Sequence, residues 1–334
     1  SEMCIRDSYK VDRETGKYLA GAVFNLYAAD DIYSVDGKLL FAAGELVATS
    51  PETGADGYTY FDCDIPIRGE YYGSSIRKDA TTNSGNYIVK ELRAPLGYYV
   101  NEEPMEVTFT YDGQAIMVLD NTCANKPTEM WVSKRDLTND EELPGATLAI
   151  KDTDGDTVTT WVSTDEPHRV TGLHFGESYT LTEIRAADGY ALANDITFRL
   201  IQKTDEGGNP LEECEVYYLT TKNILFWKWD DWRLLDDATV IMRDDITKVQ
   251  ISKKDLTTKE ELPGAELTLT DEKGNEIDRW VSTDAPHYME RLPAGKYTLT
   301  EVTAPDGYAI AERVEFEVLP NGEVQTFEMF DDTI

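Results

Sequence analysis

Along most of the chain, apolar and polar residues alternate one for one in short runs, the period of a half-buried β-strand. "ATLAI" from Ala146, "TVTTWVS" from Thr157, "SYTLTEI" from Ser178 and "ITFRLI" from Ile196 are examples. Turn-forming residues separate the runs: "DTDGD" at 152–156, "DEKGNE" at 271–276, "APDGY" at 304–308 and "PNGE" at 320–323. Helical periodicity is nearly absent. The pattern predicts an all-β chain of short strands folded as β-sandwiches.

The pattern also repeats. "WVSTDEPH" from Trp161 returns as "WVSTDAPH" from Trp280, and "YTLTEIRAADGYALANDITF" from Tyr179 returns as "YTLTEVTAPDGYAIAERVEF" from Tyr297. A worn copy precedes them in "YKVDRETGKYLAGAVFNLY" from Tyr9 and "YIVKELRAPLGYYV" from Tyr87. In each copy a lysine stands nine residues before a leucine: Lys10 and Leu19, Lys134 and Leu143, Lys253 and Leu262. The 334 residues therefore read as three tandem modules, 1–127, 128–246 and 247–334. The connectors at Pro127–Thr128 and Ile246–Thr247 are short, so the array is expected to be fairly stiff.

One feature breaks the alternation. Val249, Ile251 and Lys253 share a strand face, as do Met130, Val132 and Lys134, so a lysine points where a core residue belongs. A glutamate does the same on another strand: Glu301 with Tyr297 and Leu299, Glu183 with Tyr179 and Leu181, Glu91 with Tyr87 and Val89. Near the module ends, Asp244 follows Val240 and Met242 on one face, and Asp331 follows Phe327 and Met329. Choosing Asp245 or Asp332 instead turns Arg243 or Glu328 into the core. Each sandwich thus places Lys, Glu and Asp together inside. Two readings fit: a buried ion network, or a reaction. In the second, an apolar pocket favours the neutral amine and the protonated carboxyl. The glutamate then moves protons while the lysine attacks the carboxyl carbon, giving an amide.

Charge and cysteine usage narrow the classes. A net charge of −33 argues against nucleic acid and anionic membrane surfaces as partners. No apolar run approaches membrane-span length, and neither a signal peptide nor a sorting tail is recognisable, so a cytosolic protein or an internal piece of a larger one is expected. Cys4, Cys63, Cys123 and Cys214 occupy unrelated positions in the three copies and show neither metal spacing nor a disulfide framework. No cofactor is expected.

The S-K-x-D strand, the L-x-G-A turn, the Y-x-x-x-E-x-x-A-P-x-G-Y block and the closing Asp or Asn resemble the Cna B-type (SpaA-like) domains of Gram-positive surface proteins and pilins. The resemblance covers essentially the whole chain and implies three tandem immunoglobulin-like or prealbumin-like β-sandwiches. It implies intramolecular isopeptide bonds from Lys134 to Asp244 assisted by Glu183, and from Lys253 to Asp331 assisted by Glu301. Module two departs from the block at Ala187, where the proline is expected. In module one the pair Lys10 and Glu91 faces several acceptors. Aligning "NKPTEMWVSK" on "DDITKVQISK" selects Asn125, with Asp120 the runner-up. The opening "SEMCIRDS" reads poorly as a first strand. The role implied is a stalk or shaft segment on the wall-anchored surface of a Gram-positive bacterium, its partners being neighbouring domains of a longer protein. The groups react once with each other, so an enzyme is not expected.

Three further features carry alternatives. Asp152, Asp154 and Asp156 resemble part of a calcium loop, although "TDEKGNE" in the next copy favours a hairpin turn. His168 and His287 are equivalent turn positions and His174 stands apart, so no triad or zinc site follows. Module two carries a long insertion in which Trp227, Trp229 and Trp232 fit a strand with one aromatic face. That is either a hairpin packed on its own module or an adhesin platform for a host glycan or protein. Module one has an insertion, "YYGSSIRKDATTNSGN", without a binding signature. A carbohydrate-processing enzyme with accessory sandwiches is a third, weaker reading, since no exposed carboxylate pair supports it.

Overall fold

A computed structural model of the chain describes residues 4–33, 38–62, 84–110, 116–224 and 227–334. It contains three β-sandwiches in tandem, each made of a three-stranded sheet facing a larger one. In the third, the small sheet runs His287–Glu290, Lys248–Asp255, Val324–Asp331, and the large sheet Glu276–Val281, Glu266–Asp271, Gly295–Thr303, Val314–Val318. The second repeats this order with His168–Thr171, Glu129–Asp136 and Thr239–Asp244 in the small sheet. Its large sheet has six strands, because Pro210–Ile224 and Trp227–Leu234 add a long hairpin beyond Ile196–Thr204. The first has Tyr58–Phe61, Cys4–Asp12 and Ile116–Asn125 against Leu46–Thr49, Val23–Ala28, Ser84–Arg93 and Met105–Thr110.

In every sandwich the first strand pairs antiparallel with one neighbour and parallel with the last strand. Parallel neighbours need a crossover, and here the crossover is the rest of the domain. The nine-residue spacing from lysine to leucine has a direct cause: the leucine N–H returns to the lysine carbonyl, at 2.9, 2.7 and 2.7 Å in the three copies. That bond sends the chain from the small sheet to the large one. Alternating apolar residues of both sheets, such as Val249, Ile251, Leu267, Leu269 and Leu299, close the core between them.

Two local expectations need correction. The opening segment does form a strand, Cys4–Asp12. Its ladder with the last strand slips between Arg6 and Ser8, and that irregularity hides the alternation in the sequence. His168 and His287 do not lie in turns. Each begins a strand and stacks on the repeat's tryptophan, with ring centroids 4.4 Å (Trp161) and 4.2 Å (Trp280) apart.

Candidate functional site: a lysine, a glutamate and an acid or amide inside each sandwich

The small sheet supplies two members of the site and the large sheet the third. Lys134 and Lys253 are 2 % exposed and Lys10 is fully buried. Glu91, Glu183, Glu301, Asn125, Asp244 and Asp331 are buried with them. In the parallel ladder, Lys253 stands opposite Met329 and Asp255 opposite Asp331; the second domain repeats this with Met242 and Asp244. The acceptor therefore sits one pleat beyond the lysine on the same face, within reach of a long side chain. Nζ of Lys134 contacts Asp244 Oδ1, and Nζ of Lys253 contacts Asp331 Oδ1.

The glutamate comes from the facing sheet. Glu183 Oε1 lies 2.9 Å from Lys134 Nζ and Glu301 Oε1 3.1 Å from Lys253 Nζ. Its other oxygen is fixed by a backbone N–H, that of Ala193 at 2.7 Å and of Ala311 at 2.6 Å. Glu183 Oε1, Asp244 Oδ2, Glu301 Oε1 and Asp331 Oδ2 receive no well-directed hydrogen bond. Burial pushes the Asp244 carboxyl up to about 7, against the opposing pull of Lys134 and with a further push from Glu183. Asp331 is raised for the same reasons, burial first. A carboxyl that keeps its proton beside an amine can condense with it as well as pair with it.

The first domain builds the same site with an amide. Lys10 contacts Asn125 Oδ1 and lies 2.9 Å from Glu91 Oε1. Asn125 Nδ2 donates to both Glu91 oxygens, at 2.9 and 3.0 Å, while the Asn101 N–H holds Glu91 Oε2 at 2.6 Å. The ladder pairs Asp12 with Asn125, so the acceptor keeps the relative position seen in the other two domains. The Asp120 side chain lies outside the described residues.

The SpaA prealbumin-like fold domain matches this sequence three times, over residues 7–122, 128–209 and 247–333. The chain belongs to that family. Among solved structures, the Bacillus anthracis TIE protein is similar at 22% identity with a TM-score of 0.40, over 100% of this chain and 51% of that one. The chain thus spans about half the length of that protein. The major pilin SpaD of Corynebacterium diphtheriae matches at 14% identity, over 100% of this chain and 97% of that one, with a TM-score of 0.43. BcpA, the major pilin subunit of Bacillus cereus, matches at 15% identity over 100% of both chains, with a TM-score of 0.36. No curated protein matches the chain.

Some functional neighbours in these prealbumin-like domains escaped the sequence reading. The aspartate two residues after each lysine accepts from the tyrosine of the Gly-Tyr turn, in the pairs Asp12–Tyr98, Asp136–Tyr190 and Asp255–Tyr308, each at 2.7 Å. Burial works to raise Asp136, but bonds from Thr138, Tyr190 and Arg291 hold it well below the usual carboxylate range. The repeated Asp and Tyr were visible; their contact was not. Cys123, which replaces the methionine of the other copies, accepts from Lys10 Nζ at 3.0 Å, and burial raises its thiol.

The tryptophans of the insertion do not form one face. The hairpin ladder runs without a slip from Tyr217–Leu234 to Ile224–Trp227, so Trp232 lies on the opposite pleat from Trp229. Trp232 is covered by the Arg199 guanidinium, 4.3 Å from the ring centroid, whereas Trp229 is 42 % exposed. The side chain of Trp227 and most of the insertion in module one lie outside the described residues. Asp152 caps its own hairpin, accepting from the N–H groups of Asp154 and Asp156, and Asp271 does the same for Lys273 and Asn275. These are Asx turns. No cluster able to hold a metal occurs among the described residues.

Proposed function

We propose that the chain is a load-bearing shaft segment of a Gram-positive surface protein or pilus, its domains bounded at 127/128 and 246/247 and each closed by one isopeptide bond. The observation that carries this reading is the contact of a buried lysine amine with a buried Asp or Asn and a backbone-anchored glutamate, found three times. Nζ of Lys134 and of Lys253 attacks the Asp244 or Asp331 carboxyl carbon, one C–O bond breaks and water leaves. In the first domain Lys10 attacks Asn125, the C–N bond breaks and ammonia leaves. The glutamate takes the amine proton and returns a proton to the leaving group, the role its position between the two reactants supports. Each domain reacts once, with itself.

The mechanical consequence follows from the topology. Tension enters the second domain at Glu129 and leaves past Asp244. Its covalent path runs along the first strand to Lys134, across the amide and out. Residues 135–243 lie outside that path and bear no load. The aromatic hairpin gives an adhesin reading less support, because its tryptophans are divided between two faces. Tandem mass spectrometry of a tryptic digest tests the proposal. Branched peptides joining Lys134 to Asp244 and Lys253 to Asp331 are expected; linear peptides alone overturn it.

A further inference from the structure

Each domain ends its glutamate strand in the same tight turn, with a glycine at positive φ: Gly97 (+81°), Gly189 (+87°) and Gly307 (+86°). The first two turns are seats for the next domain. A Cβ on Gly97 would stand 2.5 Å from the carbonyl oxygen of Gly172, and one on Gly189 would stand 2.6 Å from that of Arg291. Gly172 and Arg291 are equivalent residues, and both are left-handed, at φ +80° and +60°. A non-glycine residue adopts that conformation at a cost, so the surroundings hold Arg291 there.

The same backbone bonds lock both junctions. Thr128 N–H donates to the Gly97 carbonyl and Thr247 N–H to that of Gly189, at 2.8 and 3.0 Å. In return Gly172 N–H donates to Thr128 and Arg291 N–H to Thr247, at 3.0 and 2.9 Å. At the second junction the Arg291 guanidinium adds contacts to Tyr190 and, at 3.1 Å, to Asp136 Oδ2. The third domain carries every element of the receiving half. Ile334 N–H donates to the Gly307 carbonyl at 3.0 Å, Tyr308 donates to Asp255, and nothing lies within 4 Å of a Cβ built on Gly307. Ile310, the counterpart of Leu192 at the second junction, is 63 % exposed.

We propose that the face formed by Gly307, Tyr308 and Asp255 is a docking seat for the left-handed turn of another domain of this family, one that carries arginine in that turn as the third domain does. The carbonyl of the incoming turn sits on Gly307, and its arginine reaches the Asp255–Tyr308 pair. Ile334 lacks the hydroxyl of Thr128 and Thr247 but keeps the backbone bond to the glycine carbonyl, which needs no side chain. The inference is independent of the isopeptide bonds.

The test extends the full chain by a second copy of residues 248–334 placed directly after Ile334, and measures small-angle X-ray scattering. The seat predicts a four-domain particle with one fixed angle at the new junction, as at the second. Gly307→Asn blocks the seat with the side chain that pays least at positive φ, so it is expected to lower the unextended chain's melting only slightly and to loosen the new junction. Arg→Ala in the turn of the added copy gives the same loosening without touching the third domain. A new junction that is flexible without any substitution, or one that stays fixed in both variants, overturns the proposal.

Discussion

Lys134 and Asp244 are in contact without being opposed: the ladder sets Lys134 against Met242 and Asp136 against Asp244. The acceptor must therefore be two residues beyond the lysine's partner, on the core face. Asp245, the next residue, faces away and accepts from Lys248 at 2.8 Å instead. Asp244→Asn is expected to keep the bond, with ammonia rather than water lost. Asp244→Ala removes the bond and leaves the buried Lys134 amine facing Glu183 without its acceptor, a change of about 3–5 kcal/mol. Denaturant unfolding of both variants, with their intact masses, checks this; rescue of Asp244→Ala by Asp245 would contradict it.

Glu301 and Glu183 are held by backbone N–H groups and not by their lysines alone, so each can move a proton without moving itself. Substituting Glu301 by Gln preserves size and removes the titratable oxygen. The third domain is then expected to fold with Lys253 free and to form its bond slower by about 10²–10⁴-fold. The mass of freshly purified and aged samples measures that rate. Unchanged, complete crosslinking in Glu301→Gln would remove the glutamate from the mechanism.

The raised Asp244 carboxyl sets a pH dependence. Its ordinary value is 3.8 and in the unreacted fold it is about 7, so the folded state holds the proton more tightly than the unfolded chain. The stabilisation this proton brings is complete below about pH 4 and is lost as pH rises through about 7. Amide formation in the second domain needs that proton and is expected to slow over the same rise. Acid-quenched refolding, with the crosslinked fraction read by mass at pH 6 and at pH 9, gives the comparison. A second-domain rate that increases with pH would count against a protonated acceptor.

Pulling the chain between its ends separates the crosslinked account from a packed sandwich. Lys134 and Asp244 are separated by 110 positions, so breaking the amide path exposes roughly 380 Å of chain at about 3.5 Å per residue. Force spectroscopy of the native chain is expected to show no such release, and Asp244→Ala to show one. A release of that length from the unmodified chain would mean that its second domain is not covalently closed.

Much of this was legible in the alternation itself. Lys253 on the face of Val249 and Ile251, and Glu301 on the face of Tyr297 and Leu299, gave both the sandwich and the buried site, because period two assigns faces without knowledge of partners. Asn125 followed from aligning connectors, and its ladder position opposite Asp12 matches that of Asp244 opposite Asp136. Relations that cross between elements were not legible. The Asp136–Tyr190–Arg291 contact joins residues of two domains, and no local pattern announces it. The aromatic face failed for a simpler reason: Trp232 lies three positions after Trp229, and an odd step changes face. The slip between Arg6 and Ser8 hid the first strand in the same way.

The covalently closed shaft turns on whether three amides exist, and the intact mass of the purified chain under denaturing conditions counts them. The account predicts a chain lighter than its sequence by two waters and one ammonia. A loss of three waters would move the first acceptor from Asn125 to an aspartate. The full, undiminished mass would leave Lys10, Lys134 and Lys253 in ion networks, and the covalently closed shaft would have to be abandoned.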